Sequence, residues 1–475
     1  MPDRDRLIFH IDVNSAFLSW TALERLAQGD SVDLRTIPAI VGGDTSTRHG
    51  VVLAKSIPAK AFGITTGEPV VNALRKCPHL VMASPDHSMY REKSRLLMEH
   101  LSGICPDIEQ VSIDECYMDY SPIAAQYSSP KAAAAYIRDS VREKFHFTVN
   151  VGISDRKVLA KMASDFQKPD KTHTLYQEEI PEKMWPLPVS ALFTCGHSSA
   201  ETLRKLGILT IGDLAKTDPV ILESHLKSHG RSLWKYANGI DDSVVALVPS
   251  KAKGIGNSTT LSSDALTEED ARKVLLSLCE SVGQRLRSSH QLAGQVCTEI
   301  RYSDFRNVSH QMPLAVPTAS PDLLLESAVS LFGELWDGTP IRLLGVRTSK
   351  LVPEDEPVQL SLFDYTTPRS EKQQKLDAAL DDIRAKYGKD AQVILKPHPR
   401  DVLDYHKLFP DDIVLDGKFP MEILNFIEGL EFDQVVSVYT VPDSIHFAKE
   451  KVFLGDDFMD LYEDPQKHRF NEQIF

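Results

Sequence analysis

The chain reads as an α+β multidomain protein that carries a further α/β fragment at its C-terminus. Three observations predict this. Its 475 residues are more than one hydrophobic core organises. Up to about residue 350, short apolar runs and stretches with apolar groups every three to four residues succeed one another as strand, helix, hairpin, helix, strand. A polar, Pro-containing stretch at 352–370 then separates this region from a strand-and-helix alternation that begins near 391.

The opening LIFHIDV is a buried strand that delivers Asp12 at its C-terminal end. The three- and four-residue spacing in AFLSWTALERLA makes the next element a helix. From about 30 to 80 the text is loop-rich and basic, a small subdomain of strand and helix pieces. An amphipathic helix follows around 89–104, then a hairpin-like pair, IEQVSIDE and CYMDYSP. Alternation through Val111, Ile113, Cys116 and Met118 puts Asp114 and Glu115 at a turn or strand edge. A helix over 130–145, the strand TVNVGIS and the helix DRKVLAKMASDFQ complete this unit, with Ser154 the expected N-cap of the last.

Residues 176–245 are helical with Gly-centred turns, and LFTCGHSSAETLRKLGILTIGDLA looks like a helix-hairpin-helix. The rhythm changes over 250–350 to β-α-β-β-α-β: a strand near 253–261, a helix over 268–289, the strands QVCTEIRYSDF and VSHQMPL, a helix over 321–336 and the strand IRLLGVRTSKL.

Composition narrows the class. No run of 18 apolar residues occurs, and the first apolar stretch is interrupted by His10 and Asp12, so neither a membrane span nor a secretory signal is expected. A cytoplasmic location follows as the expectation. Six cysteines without CxxC spacing read as reduced, buried thiols. The net charge of −14 is unevenly shared: residues 391–475 hold 8 Lys+Arg against 17 Asp+Glu, leaving 45 against 50 in the first 390. An overall acidic balance therefore does not exclude a nucleic-acid partner for the first part.

Taken singly, an Asp at a strand end or an Asp-Glu pair in a turn is usually solvated. Their company changes the reading. HIDVNSAF, AKSIPAKAFGITTG, VSIDECYMD and VGISDRKVLAKMASDFQKPDK resemble, in order, the successive motifs of bacterial Y-family translesion polymerases of the DNA polymerase IV type, over about 1–390. The resemblance implies a right-hand polymerase: palm (1–25 and 81–175), fingers (26–80), helical thumb (176–245) and little finger (250–350), then a linker (351–390). It also implies low-fidelity synthesis past damaged bases on primer-template DNA with dNTPs, by a monomer. Nucleotidyl transfer of this kind uses two Mg²⁺ ions, for which Asp12, Asp114, Glu115 and the backbone carbonyl of Val13 are the candidate ligands.

Further roles are carried over from the same resemblance. Phe17 matches the steric gate that excludes a 2′-hydroxyl, and Lys60 and Lys168 match the basic triphosphate contacts. The chain departs from the family at Ala54 and Ile57, where Thr and Tyr often bind phosphate, and at Ser15, a common aromatic position. Thr194-Cys195-Gly196 lacks the first Gly of the thumb hairpin, leaving Gly196 as the candidate DNA-phosphate contact. Arg285, Arg287, Arg301, Arg306, Arg342 and Arg347 are candidate backbone contacts in the little finger, with Arg301 and Arg342 preferred. Lys+Arg and Asp+Glu each number 11 across 250–350, so a basic face there requires segregation. In the linker, QLSLF matches the bacterial sliding-clamp-binding peptide, with Gln359, Leu360, Leu362 and Phe363 as anchors.

The tail (391–475) resembles a fragment of a sialyltransferase-like glycosyltransferase through KPHPRD, including His398-Pro399, and FPMEIL. It reads as a fused fragment outside the polymerase. A non-catalytic clamp-binding protein and a nucleotide cyclase are the competing readings. The intact carboxylates speak against the first, and the helix-hairpin-helix and clamp peptide are superfluous for the second.

Overall fold

The computed structural model describes residues 6–43, 50–248, 251–354, 394–395, 413–414, 432–437 and 445–453. The chain begins with strand β1 (Ile8–Val13) and helix α1 (Ala16–Ala27). Next come β2 (Ala39–Gly42), β3 (Val52–Lys55), α2 (Ile57–Ala61), α3 (Val70–Lys76) and β4 (Val81–Ala83). It then returns through α4 (His87–Ile104), β5 (Ile108–Gln110), β6 (Glu115–Asp119), α5 (Pro130–Phe145), β7 (Val149–Ser154), α6 (Lys157–Ser164) and β8 (Thr172–Thr174).

The strands β5-β6-β1-β7-β8 form one sheet in that order, with β1 antiparallel to both β6 and β7. β1 is central because IFHIDV is buried on both faces, as a continuous apolar run requires. One face packs on α1, α4 and α5 through Phe9, Ile11, Trp20, Leu97, Ile137 and their neighbours. Against the other lies α6, and Gly152 of β7 makes that approach possible: a Cβ there would sit 1.9 Å from the Ala160 carbonyl oxygen. β2, β3 and β4 form a separate sheet in the order β3-β2-β4, so the segment 39–83 is a small unit inserted between α1 and α4.

The helical region comprises α7 (Ile180–Lys183), α8 (His197–Lys205), α9 (Ile211–Lys216), α10 (Pro219–Leu226) and α11 (Ser228–Ala237). α8 and α9 are joined by a turn in which Gly207 takes φ 79°, and Thr210 caps α9. The following unit is β9 (Gly254–Ala265), α12 (Glu268–Ser288), β10 (Gln291–Tyr302), β11 (Asn307–Thr318), α13 (Pro321–Leu335) and β12 (Ile341–Pro353). Its sheet order is β11-β10-β12-β9, with α12 and α13 packed on one face through Val282, Val296, Ile300, Leu331 and Leu344. In the tail, β13 (Ile394–Leu395) pairs in parallel with β14 (Ile413–Val414), and β15 (Phe432–Ser437) with β16 (Ala448–Phe453).

One expectation is corrected. Ser154 does not cap α6: it ends β7, and its Oγ donates to the Leu175 carbonyl at 2.5 Å. Arg156 occupies the N-cap position, and no side chain caps the helix. Residues 152–154 are still paired with β1, so the strand outcompetes a local cap. All six cysteines are free and buried. Among the described residues no helix is long and apolar enough to cross a membrane.

Candidate active site

The end of β1 and the start of β6 meet edge to edge, with Asp12 opposite Glu115 in the antiparallel register. Asp114 lies in the turn just before β6, and its carbonyl accepts from the Val13 N–H at 3.0 Å. The turn closes on itself: the Val111 and Ser112 N–H groups both reach the Glu115 carbonyl, at 3.1 and 3.3 Å. The Ser112 hydroxyl donates to Asp114 Oδ1 at 2.7 Å. Three carboxylates are thus presented from two paired backbones whose relative position the sheet sets.

Two ammonium groups answer them. Lys161 on α6 lies 2.7 Å from Glu115 Oε2 and 3.6 Å from Asp12 Oδ2. Lys168, in the loop after α6, lies 2.7 Å from Asp12 Oδ1 and 2.9 Å from Asp165 Oδ1. Beneath them His10 is wholly buried, with Nδ1 2.8 Å from Ser164 Oγ and Nε2 3.3 Å from Glu115 Oε2.

The protonation states follow from these contacts. Burial pushes the Asp114 carboxyl above its usual range, and Asp12 and Glu115 add to the effect against the Ser112 hydrogen bond. Glu115 is held down to about 2, first by His10 and then, against its burial, by Lys161. Burial opposes the charge of Lys161, yet Glu115, Asp165 and Asp12 keep its pKa above the ordinary value. Burial likewise opposes Lys168, and Asp12 and Asp165 hold it up. Burial depresses the His10 imidazole against the pull of Glu115.

A pH prediction follows for the protein without added divalent cation. Because the Glu115 pKa falls from 4.5 to about 2 on folding, its stabilising contribution is present above pH 4.5 and is lost as pH falls toward 2. Glu115→Gln should flatten the acid limb of the Tm-versus-pH profile in that window. An unchanged limb would mean that the His10 and Lys161 contacts do not hold Glu115.

The carboxylates do not by themselves make a closed cage. Among the described residues, no three His, Cys, Asp or Glu side chains are grouped closely enough to hold one metal ion. Asp12 and Glu115 are instead paired with lysines. The donor set still fits hard divalent cations. It consists of carboxylate oxygens, and among the described residues no cation pairs with Asp114, whose pKa is raised by burial and then by its like-charged neighbours. A cation against Asp114 and Asp12 would supply the missing countercharge.

Phe17, in the first turn of α1, stacks on Tyr90 of α4 with ring centroids 4.4 Å apart and planes 9° apart. Tyr90 is in turn fixed by a 2.7 Å hydrogen bond between its hydroxyl and Thr21. Lys60 lies on α2, in the inserted unit, and is exposed. Beside it Lys55 on β3 has a pKa lowered by burial and then by Lys60. Sequence reasoning named Lys60 and passed over Lys55, Lys161 and His10. The period-two alternation of VLAK, which turns Leu53 and Lys55 to the same half-buried side, was the available signal for Lys55.

Thr194 carries φ 67°, the conformation in which a Gly would be unstrained. Gly196 is the N-cap residue of α8, and its N–H bonds to the Thr194 carbonyl at 3.0 Å. In the β-rich unit, Arg301 and Arg347 share the sheet face opposite α12 and α13, given their registers with Leu343 and Cys297. Arg301 Nε donates to Asn307 at 2.7 Å, and the Arg342 guanidinium lies 4.9 Å over the Phe305 ring. Arg285 and Arg287 donate to the carbonyls of Gly256 and Ala319, and Arg306 pairs with Asp337. Gln359, Leu360, Leu362 and Phe363 lie outside the described residues, as do His398 and Pro399.

The chain is similar to known proteins over most of its length. The profile of the impB/mucB/samB family matches residues 11–165, and that of the impB/mucB/samB family C-terminal domain matches 252–362. DNA polymerase IV of Clostridium acetobutylicum is 47% identical over 383 residues, spanning 81% of this chain and 96% of that protein. DNA polymerase IV of Acetivibrio thermocellus is 35% identical over 387 residues, 81% of this chain and 95% of the relative. DNA polymerase IV 1 of Bacillus subtilis is 35% identical over 393 residues, 82% and 92% of the two chains. Among solved structures, a Y-family DNA polymerase chimera superposes with a TM-score of 0.63 at 21% identity, covering 73% of this chain and 99% of its own, which shows the shared fold. The relatives match about four fifths of the chain and the family models lie within 11–362, and the expected kinship of the tail with sialyltransferase-like enzymes is not borne out. The chain belongs to the Y-family, as a DNA-directed DNA polymerase of the translesion DNA polymerase IV type.

Proposed function

We propose that this polymerase extends primers past damaged bases with low fidelity by two-metal nucleotidyl transfer at Asp12, Asp114 and Glu115, and that a sliding clamp recruits it. The observation that carries the reading is the meeting of these carboxylates at two abutting strand ends, with Lys168 against Asp12. Asp12, Asp114, Glu115 and the Val13 carbonyl would hold two Mg²⁺ ions. When bound, these activate the primer 3′-hydroxyl and neutralise charge on the triphosphate.

The chain's own groups do the rest. Lys168 and Lys60 grip the triphosphate, with Lys55 reinforcing Lys60, and the ring of Phe17 stands against the sugar. The palm is 1–25 and 81–175, the fingers 26–80, the thumb 176–245 and the little finger 250–350. Gly196 at the head of α8 serves a DNA phosphate, as helix N-termini do, and Arg301 and Arg342 serve the little-finger track. The protein acts as a cytoplasmic monomer, a setting with which six free thiols agree.

The test is primer extension with Mg²⁺ and dNTPs on templates with and without a blocking lesion. Synthesis across the lesion is expected, and extension that always halts before it would overturn the translesion role. Deleting 359–363 should abolish stimulation by the clamp while leaving basal extension within about twofold, because the peptide only raises local concentration. Stimulation that survives the deletion would refute the docking role of QLSLF.

A further inference from the structure

The loop that presents Lys168 is held by two buried asparagines to which the scheme above gives no task. Asn150, on β7, is wholly buried, and Asn14, two residues after Asp12, is 7% exposed. Asn150 Nδ2 donates to the carbonyls of Ser164 at 2.9 Å and Gln167 at 2.7 Å. Its Oδ1 accepts from the Lys171 N–H at 3.1 Å and from Asn14 Nδ2 at 3.2 Å. Asn14 Oδ1 in turn accepts from the Asp170 N–H at 2.8 Å and the Thr148 hydroxyl at 2.9 Å. Each amide has its donors on carbonyls and its acceptor on N–H or O–H groups, so neither tolerates a flip.

The result is a clamp on both ends of the segment 167–171 and on its interior at Asp170. Asp170 has φ 56°, a conformation that a non-Gly residue keeps when its surroundings impose it. Arg138 and Arg142 of α5 secure its carboxylate at 2.9 and 2.8 Å. The same asparagine pair ties the loop to the strand end that bears Asp12, since Asn14 follows that strand end, its own N–H is held by the Thr148 carbonyl at 2.9 Å, and its Oδ1 holds the Asp170 N–H. The base of Lys168 is therefore fixed relative to Asp12 without reliance on the ammonium–carboxylate contact. Its flexible four-carbon stem can turn from Asp12 to an incoming polyphosphate while the backbone stays in place.

We infer that Asn14 and Asn150 are positioning residues that set the Lys168 ammonium for the nucleotide triphosphate. The inference rests on the assignment of Lys168 to the triphosphate. The test is single-nucleotide insertion kinetics on primer-template DNA with Asn150→Ser, Asn14→Ala, Lys168→Ala and the double variant Asn150→Ser/Lys168→Ala. Asn150→Asp, nearly isosteric, sets a carboxylate against two carbonyl oxygens and serves where the smaller variants are unstable.

Each asparagine variant should raise KM for dNTP by about tenfold, with kcat and primer-template Kd changed less than about threefold. On the Lys168→Ala background, Asn150→Ser should add less than about twofold. An undiminished KM increase on that background, or losses in kcat and DNA affinity with KM unchanged, would show a merely structural pair and overturn the inference. If Lys168→Ala alone leaves KM unchanged, the triphosphate assignment itself fails, and the inference falls with it by a separate signature.

Discussion

Asp114→Ala should lower primer extension by about three orders of magnitude, or about 4 kcal/mol of transition-state stabilisation, while primer-template affinity stays within about threefold. Asp114 stands apart from its two neighbours electrostatically. Asp12 and Glu115 each have a lysine within 2.7 Å, whereas the side chain of Asp114 is met by the Ser112 hydroxyl. Its raised pKa records a carboxylate that costs free energy to ionise in its partly buried turn. Removing it therefore need not weaken the fold, and Tm should hold or rise slightly. Rapid-quench extension alongside a DNA-binding isotherm separates the two effects. Extension that persists at near wild-type rate would remove Asp114 from the reaction.

Phe17→Ala should admit ribonucleotides, improving rNTP insertion relative to dNTP by about a hundredfold, or about 3 kcal/mol. Selectivity of this kind depends on a wall that cannot retreat. The Phe17 ring is backed by Tyr90 at 4.4 Å and met edge-on by His87 at 6.1 Å, and the Tyr90 hydroxyl is tied to Thr21. In the proposed gate role, a 2′-hydroxyl would meet a ring whose escape is blocked by packing. Competition between ATP and dATP opposite a template thymine reads the ratio. A ratio unchanged by the substitution would mean that another residue excludes the sugar hydroxyl.

The fold was legible wherever local pattern and burial agree. IFHIDV is apolar on both sides and became the central strand, and the helix expected over 130–145 has those bounds because Ser129 caps it and His146 ends it at φ 60°. The six-element unit after residue 250 was equally clear, and its helices carry acidic first turns. Ser154 misled because the hydrogen-bonding claim of the sheet outranks a local cap.

The site was legible in part, for the same physical reason. Pattern placed Asp12, Asp114 and Glu115 at strand ends and a turn, and the resemblance of the surrounding motifs made them candidates. Lys161, His10, Asn14 and Asn150 matter through partners far along the chain, such as the 2.8 Å contact of His10 with Ser164. No periodicity signals such contacts. The arginines of the β-rich unit also had to wait for register: Arg301 and Arg347 share the open sheet face, while Arg287 donates to a backbone carbonyl.

In the proposed mechanism the three carboxylates hold two divalent ions during synthesis. It is tested most directly by counting Mn²⁺ bound to the protein in complex with primer-template DNA and a non-hydrolysable dNTP, by electron paramagnetic resonance. The wild type should bind two ions per molecule with magnetic coupling between them, and Asp12→Ala or Asp114→Ala should lose at least one. A single uncoupled ion in the wild type, or two ions retained in both variants, would contradict the account.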